Sequence, residues 1–154
     1  MLSTHKVEHT YTISDFIELG RSTQDIDYNQ YTILANPIPS INPDFIIYIA
    51  QNNVLYEYED ELKTLSFSVE MSLSEWHKYK YKPKLLSFDL YGSTELYFVL
   101  LFLNGTCDIK DFDKQTIKIL TKEKLLEFLE AVYNAESKYI NLNRTNVGYV
   151  ENKG

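Results

Sequence analysis

Lys84-Leu85-Leu86-Ser87-Phe88-Asp89-Leu90-Tyr91-Gly92-Ser93-Thr94-Glu95-Leu96-Tyr97-Phe98-Val99-Leu100-Leu101-Phe102-Leu103-Asn104-Gly105 is the stretch whose reading decides the fold. The spacing predicts a short helix over Lys84–Tyr91, closed by Gly92 in the left-handed conformation that glycine adopts without a steric penalty. Ser93 or Thr94 then caps a second helix, with Glu95 in its first turn where a carboxylate favours the dipole. Leu96–Leu103 is apolar all round, so this helix is expected to be covered on every side. Asn104-Gly105 stops it. Ile117–Leu120 reads as a short strand. Thr121 caps a further helix in which Leu125, Phe128, Leu129 and Val132 fall at i, i+3, i+4 and i+7, one apolar face.

Working outward towards the N-terminus, residues 1–12 are polar and read as an arm. Ser14 is placed to cap a helix from Asp15 to Leu19 that Gly20 ends. Asp25–Asn42 mixes Tyr28, Tyr31, Ile33 and Leu34 with Pro37 and Pro39, which favour extended backbone, so an irregular connector is expected. Phe45–Gln51 is rich in β-formers, Asn52-Asn53 suits a two-residue turn, and Val54–Tyr58 returns antiparallel. Glu57, Glu59, Asp60 and Glu61 then form an acidic tip. Leu65, Phe67, Val69, Met71 and Leu73 alternate with Ser66, Ser68, Glu70 and Ser72, the period of a strand with one buried face. Beyond Ser137 the chain turns polar, with four Asn in residues 141–152, and reads as a second arm.

The expected class is therefore α+β: a small antiparallel sheet, a helix-helix-strand module and a C-terminal helix, with extended N- and C-terminal arms. The expected partition is an N-terminal arm and connector over 1–44, a core over 45–137, and a C-terminal arm over 138–154. Within the core, Lys78, Lys80, Lys82 and Lys84 alternate with Tyr79, Tyr81 and Pro83. An extended backbone here sets the lysines on one side and the phenols on the other. Such a strip serves either as a docking surface for an acidic neighbour or as a solvated edge whose lysines block strand pairing.

Composition bounds the function. The chain has 154 residues, 44% hydrophobic and 24% charged, an ordinary globular balance that fits one domain or a small core with arms. Its 13 tyrosines against one tryptophan suit wet interfaces as well as cores, and equally follow from a general compositional bias. Net charge is 15 − 22 = −7, which provides no field to attract phosphate backbones and argues against a nucleic-acid partner. The single Cys107 excludes an intrachain disulfide, fits a reducing site of synthesis, and reads as a small buried hydrophobe. Met1–Lys6 shows no apolar signal core, and Leu96–Leu103 is far short of the ~20 residues of a membrane helix, so no membrane insertion is expected.

Chemistry-bearing motifs are few. Five glycines, at 20, 92, 105, 148 and 154, cannot form a dinucleotide or P-loop cradle. His5 and His9 sit four apart without a third ligand and read as surface histidines. Asp108, Asp111 and Asp113 lack the spacing and glycine of a calcium loop and read as loop-capping groups. Glu57 and Glu59 are the one carboxylate pair to imagine as catalytic, and no desolvating pocket is implied around them. Asn104-Gly105-Thr106 and Asn143-Arg144-Thr145 match the glycosylation sequon, which is expected to go unused. The reading has no catalytic residue, no metal ligand and no cofactor.

One ordered set of residues stands out: Tyr79-x-Tyr81-x-Pro83, then Leu86-Ser87, Tyr91-Gly92-Ser93, the aromatic-rich apolar helix with Tyr97, Leu103-Asn104, and Asp111-Phe112. This order resembles the baseplate wedge proteins of contractile-tail bacteriophages, over a LysM-like module spanning about residues 79–120, roughly a quarter to a third of the chain. LysM modules share the helix-helix-strand logic and the Asn after the second helix. The resemblance implies a structural subunit of a tail baseplate, made in the host cytoplasm and incorporated in the virion, with other baseplate and tail proteins as partners. Tyr79, Tyr81, Pro83, Tyr91, Gly92, Tyr97, Asn104 and Phe112 become the candidate interface and motif residues. The alternative that the resemblance leaves open is a small peptidoglycan- or glycan-binding module of the LysM type.

Overall fold

The computed structural model describes residues 11–34, 46–48 and 52–153. Among the described residues the elements follow in the order α1 (Ile13–Leu19), β1 (Thr32–Leu34), β2 (Ile46–Tyr48), α2 (Asn52–Glu57), α3 (Glu59–Leu65), β3 (Phe67–Glu70), α4 (Leu73–Tyr79), α5 (Pro83–Tyr91), α6 (Tyr97–Leu103), β4 (Thr116–Ile119) and the long α7 (Lys122–Lys153), with single 3-10 turns at 20–22, 28–31, 94–96 and 109–111. The class is α+β. Its strands form two separate antiparallel pairs, β1 with β2 in the register Ile33 opposite Ile47, and β3 with β4 in the register Val69 opposite Ile117.

The strongest local signals hold. Gly92 closes α5 at φ +82°, and its N–H donates to the Phe88 carbonyl at 2.8 Å. Pro83 occupies the first turn of α5, where its missing N–H costs nothing, so the helix starts one residue ahead of the expected Lys84. Thr121 Oγ1 accepts from the Lys124 N–H at 3.1 Å, and Leu125, Phe128, Leu129 and Val132 of α7 are all buried. The last helix, however, runs unbroken to Lys153, so the backbone beyond 137 is helical rather than an extended arm.

The N-terminal segment is corrected more deeply. Thr12, not Ser14, caps α1, because Asp15 stands three residues on. The Asp15 N–H donates to Thr12 Oγ1 at 3.2 Å and the Thr12 N–H to Asp15 Oδ2 at 2.9 Å, a reciprocal capping box. Gly20 ends the helix at φ −81°, in right-handed space. Its smallness serves packing instead, since an added Cβ would lie 3.2 Å from the Lys122 side chain. Ile13, Phe16, Ile26, Tyr28 and Tyr31 are buried in the common core, so residues 11–34 are part of it rather than an arm. Residues 1–10 with His5 and His9, and the Pro37–Pro39 connector, lie outside the described residues.

The expected hairpin over 45–58 does not form. Ile46–Tyr48 is a strand, but its partner is β1, and Asn52–Glu57 is helical. Val54, Leu55, Tyr58 and Leu62 fall at i, i+1, i+4 and i+8, a helical face that buries Val54, Leu55 and Leu62 across α2 and α3. Burial on that face outweighs the β-preference of Val and Tyr, which mostly reflects context. The acidic residues Glu59, Asp60 and Glu61 lie in the first turn of α3, where they complement the helix dipole, rather than at a hairpin tip.

The long alternation from Leu65 to Leu73 shrinks to four strand residues. Val69 and Met71 are buried, Phe67 is partly exposed against Phe16, and Leu73 is exposed at the start of α4. The signal for α4 was in the sequence as Ser72-Leu73-Ser74-Glu75. Ser72 Oγ accepts from the Glu75 N–H at 3.2 Å, and Glu75 Oε1 accepts from the Ser72 N–H at 3.3 Å. The extended lysine strip is therefore also corrected: Lys78 and Tyr79 end a helix, Tyr81 turns at φ +63°, and Pro83 opens the next helix.

Candidate functional site

The motif residues converge on the unit made by α5, α6 and β4. Tyr91 is fully buried at the end of α5. Its hydroxyl donates to the Leu120 carbonyl at 2.8 Å and accepts from the Leu120 N–H at 3.3 Å, tying the helix to the end of β4. Burial drives this phenol well above its ordinary range, the backbone bond opposing it, so Tyr91 stays protonated. Asn104 performs a similar task at the other end. Its Nδ2 donates to Leu100 O at 2.8 Å and to Lys118 O at 2.9 Å, and its Oδ1 accepts from the Lys118 N–H at 2.7 Å. One side chain thus caps the C-terminus of α6 and pairs the free edge of β4 as a strand would.

Tyr79 is buried at the end of α4, its hydroxyl donating to Asp89 Oδ2 of α5 at 2.8 Å; burial first, then Asp89, pushes its pKa up. Phe112 is buried, and its carbonyl accepts from the Tyr81 N–H at 2.7 Å, holding the α4–α5 elbow. Gly92 is crowded as well as left-handed, since an added Cβ would sit on the Asp25 side chain. Asp25 Oδ1 in turn accepts from the buried Lys122 Nζ at 2.6 Å. Of the eight candidates, Tyr79, Pro83, Tyr91, Gly92, Asn104 and Phe112 act within the fold. Tyr81 and Tyr97 alone present rings to the surface, Tyr81 exposed and Tyr97 half-buried.

Tyr97 leads to the site that sequence reasoning missed. Leu96 at the cap of α6 and Val99, Leu100 and Leu103 along it face the core and are buried. Tyr97, Phe98, Leu101 and Phe102 fall on the opposite side by the 100° advance of a helix, and three of them are only half-buried. The helix is not covered on every side as expected. Its aromatic side lines an open cleft of about 360 Å³, whose other wall is Tyr56 and Glu59 and whose floor continues into Gly105–Ile109. Tyr56 is 66% exposed and meets Phe102 edge-on at 5.3 Å between ring centres. Tyr97 and Phe98 stack at 4.3 Å, with Lys84 Nζ 5.0 Å from the Tyr97 ring centre. The signal was present in the spacing, as aromatic residues confined to one side of an apolar helix.

Cys107 lies on the rim of this cleft and is exposed, which corrects its reading as a buried hydrophobe. Asp108 caps the 3-10 turn at 109–111, its Oδ1 accepting from the Lys110 N–H at 3.3 Å, as a loop-capping group should. Glu57 sits near Glu136 of α7, whose carboxyl is held above its ordinary range by burial and then by the Glu57 charge. Among the described residues no group of three His, Cys, Asp or Glu is placed to hold a metal ion, and no helix is long and apolar enough to cross a membrane. The chain matches no family model, no curated protein and no solved structure with which it was compared.

Proposed function

We propose that this chain is a non-catalytic structural subunit of a contractile-tail baseplate of the wedge type, binding neighbouring baseplate proteins in a hetero-oligomeric assembly within the virion. The observation that carries the reading is the convergence of the motif residues on one unit. Tyr91-Gly92 closes the first helix, Asn104 follows the second and braces the strand, and Phe112 holds the elbow before Pro83. The order helix, helix, Asn, strand is the one on which the resemblance to a LysM-like module rests. Residues that secure an architecture, rather than a reaction, are what a packing subunit retains.

The test is mass spectrometry of purified contractile-tail particles made from the genome that encodes this chain. A stoichiometric signal in intact baseplates supports the assignment, and its absence from them refutes it. A second reading, a small glycan-binding module on peptidoglycan, draws on the aromatic cleft, because the exposed ring of Tyr56 and the half-buried ring of Tyr97 suit stacking on sugar faces. Retention of the purified chain on insoluble peptidoglycan, lost in Tyr56→Ser, would favour it over the first.

A further inference from the structure

Asn104-Gly105 is the one Asn-Gly step in the chain. Such a step carries its own chemistry, because glycine has no Cβ and its amide nitrogen reaches the preceding side-chain carbonyl unhindered. Solvent access does not hold the reaction back here. Gly105 is exposed, and an added Cβ would meet nothing within 4 Å. The restraint is conformational. Attack on Asn104 Cγ closes a five-membered ring, in which the Gly105 nitrogen and Asn104 Cβ must lie nearly eclipsed about the Cα–C bond. Asn104 holds ψ at 8°, which turns that nitrogen roughly 120° away from Cβ by the tetrahedral geometry at Cα. The side chain is fixed as well, Nδ2 donating to Leu100 O and Lys118 O and Oδ1 accepting from the Lys118 N–H. The Gly105 N–H donates to Phe102 O at 3.2 Å and the Thr106 N–H to Leu101 O at 3.0 Å, so rotating ψ also undoes the end of α6.

We propose that Asn104 is a self-modification site, silent while its amide brackets α6 to β4 and converted when that bracket opens. With the bracket released, the Gly105 amide gives up its proton to hydroxide and its nitrogen attacks Asn104 Cγ. The new C–N bond closes a succinimide, the Cγ–Nδ2 bond breaks, and Nδ2 leaves as ammonia after taking a proton from water. Water then opens the ring. Hydrolysis at Cγ gives aspartate, and hydrolysis at the main-chain carbonyl gives isoaspartate, in which the backbone runs through Cβ and Cγ. Neither product restores the bracket at neutral pH. Aspartate sets a carboxylate oxygen against two carbonyls, and isoaspartate adds a backbone atom between α6 and β4. A passing opening is thereby recorded as a permanent one. The conversion takes only this chain and water, so it stands or falls apart from the baseplate reading.

Peptide mass spectrometry of the purified full-length chain, incubated at mildly alkaline pH across a urea series, tests it, with circular dichroism reporting the folded fraction. Asn104 should convert at least about tenfold more slowly in the folded chain than in the unfolded one, the rate rising with the fraction open. Gly105→Ala, measured in urea so that its folded state is irrelevant, should slow conversion by about tenfold or more, since a Cβ hinders the attacking nitrogen. Tyr91→Phe removes the hydroxyl that secures both backbone groups of Leu120 at the end of β4, and should speed conversion severalfold in a chain that circular dichroism shows to be folded. If Tyr91→Phe does not fold, the urea series of the parent decides the matter. Once urea is removed, converted chains should melt below unconverted ones. Equal conversion rates in the folded and unfolded chain overturn the proposal. So does a folded Tyr91→Phe chain that converts no faster than the parent, and so does a converted chain that melts with the unconverted one.

Discussion

Replacing Asn104 separates the three jobs its amide performs. In Asn104→Ala the carbonyls of Leu100 and Lys118 lose a donor at 2.8 and 2.9 Å, and the Lys118 N–H loses an acceptor at 2.7 Å. At about 0.5–1.5 kcal/mol for each bond, the sum is roughly 1.5–4.5 kcal/mol. Water reaches the Lys118 side of the bracket, so the lower half of that range, about 1.5–3 kcal/mol, is the expected loss. Asn104→Asp keeps the acceptor for the Lys118 N–H but turns the donor into a carboxylate oxygen facing two carbonyls. The folded state therefore favours the protonated acid, and the folded pKa of the new carboxyl lies above its unfolded value near ~3.9. A raised folded pKa means that its contribution is fully present below the unfolded pKa and is lost as pH rises through the folded one. The deficit of Asn104→Asp relative to the parent should thus be smallest below about pH 4 and grow towards neutrality, whereas that of Asn104→Ala stays flat. Urea unfolding of the three chains across pH, followed by circular dichroism, gives both numbers. An alanine deficit under about 0.5 kcal/mol, or an aspartate deficit that does not grow with pH, would refute the bracket as a source of stability.

Two further predictions follow from the backbone. Gly92→Val forces a β-branched residue into φ +82° and displaces Asp25 from the buried Lys122, for an expected loss of about 2–4 kcal/mol, while Ser93→Ala loses one cap bond to the Glu95 N–H at 3.2 Å and should cost about 1 kcal/mol; equal melting temperatures for the two variants would contradict the assignment. Tyr81 holds φ +63° with an exposed ring, so Tyr81→Gly should be neutral or stabilising by up to ~1 kcal/mol, against a clear loss in Tyr81→Val, as read by thermal melting.

The parts of this protein that its sequence determined by itself are those whose causes act within a turn or two of chain. Gly92 and Gly105 take positive φ, at 82° and 65°, because the helices before them end there and glycine alone enters that region freely. The 3-4 spacing of Leu125, Phe128, Leu129 and Val132 dictates one face of α7 whatever packs against it. The capping boxes Thr12–Asp15 and Ser72–Glu75 are equally local, though the first was passed over for Ser14 and the second was hidden inside an apparent strand alternation. The roles of Tyr91 and Asn104 were visible only as positions in an ordered motif. That each one secures β4 depends on partners 29 and 14 residues away.

Tertiary structure alone decided the remainder. Val54–Tyr58 has the composition of a strand, yet Val54–Glu57 is helical because its apolar residues find a core on one side, and β2 finds its partner in Thr32–Leu34 instead. The segment that reads as an irregular connector enters the core where Ile26 donates its N–H to Tyr91 O at 3.0 Å and Asp25 answers Lys122. The cleft exists because the core covers only the aliphatic side of α6, leaving Phe102 to meet Tyr56 from a distant helix and Tyr97 and Phe98 to line the same space. Which side of an all-apolar helix is covered is a property of the neighbours available. Local sequence carries no record of them, because burial is summed over contacts that only the folded chain brings together.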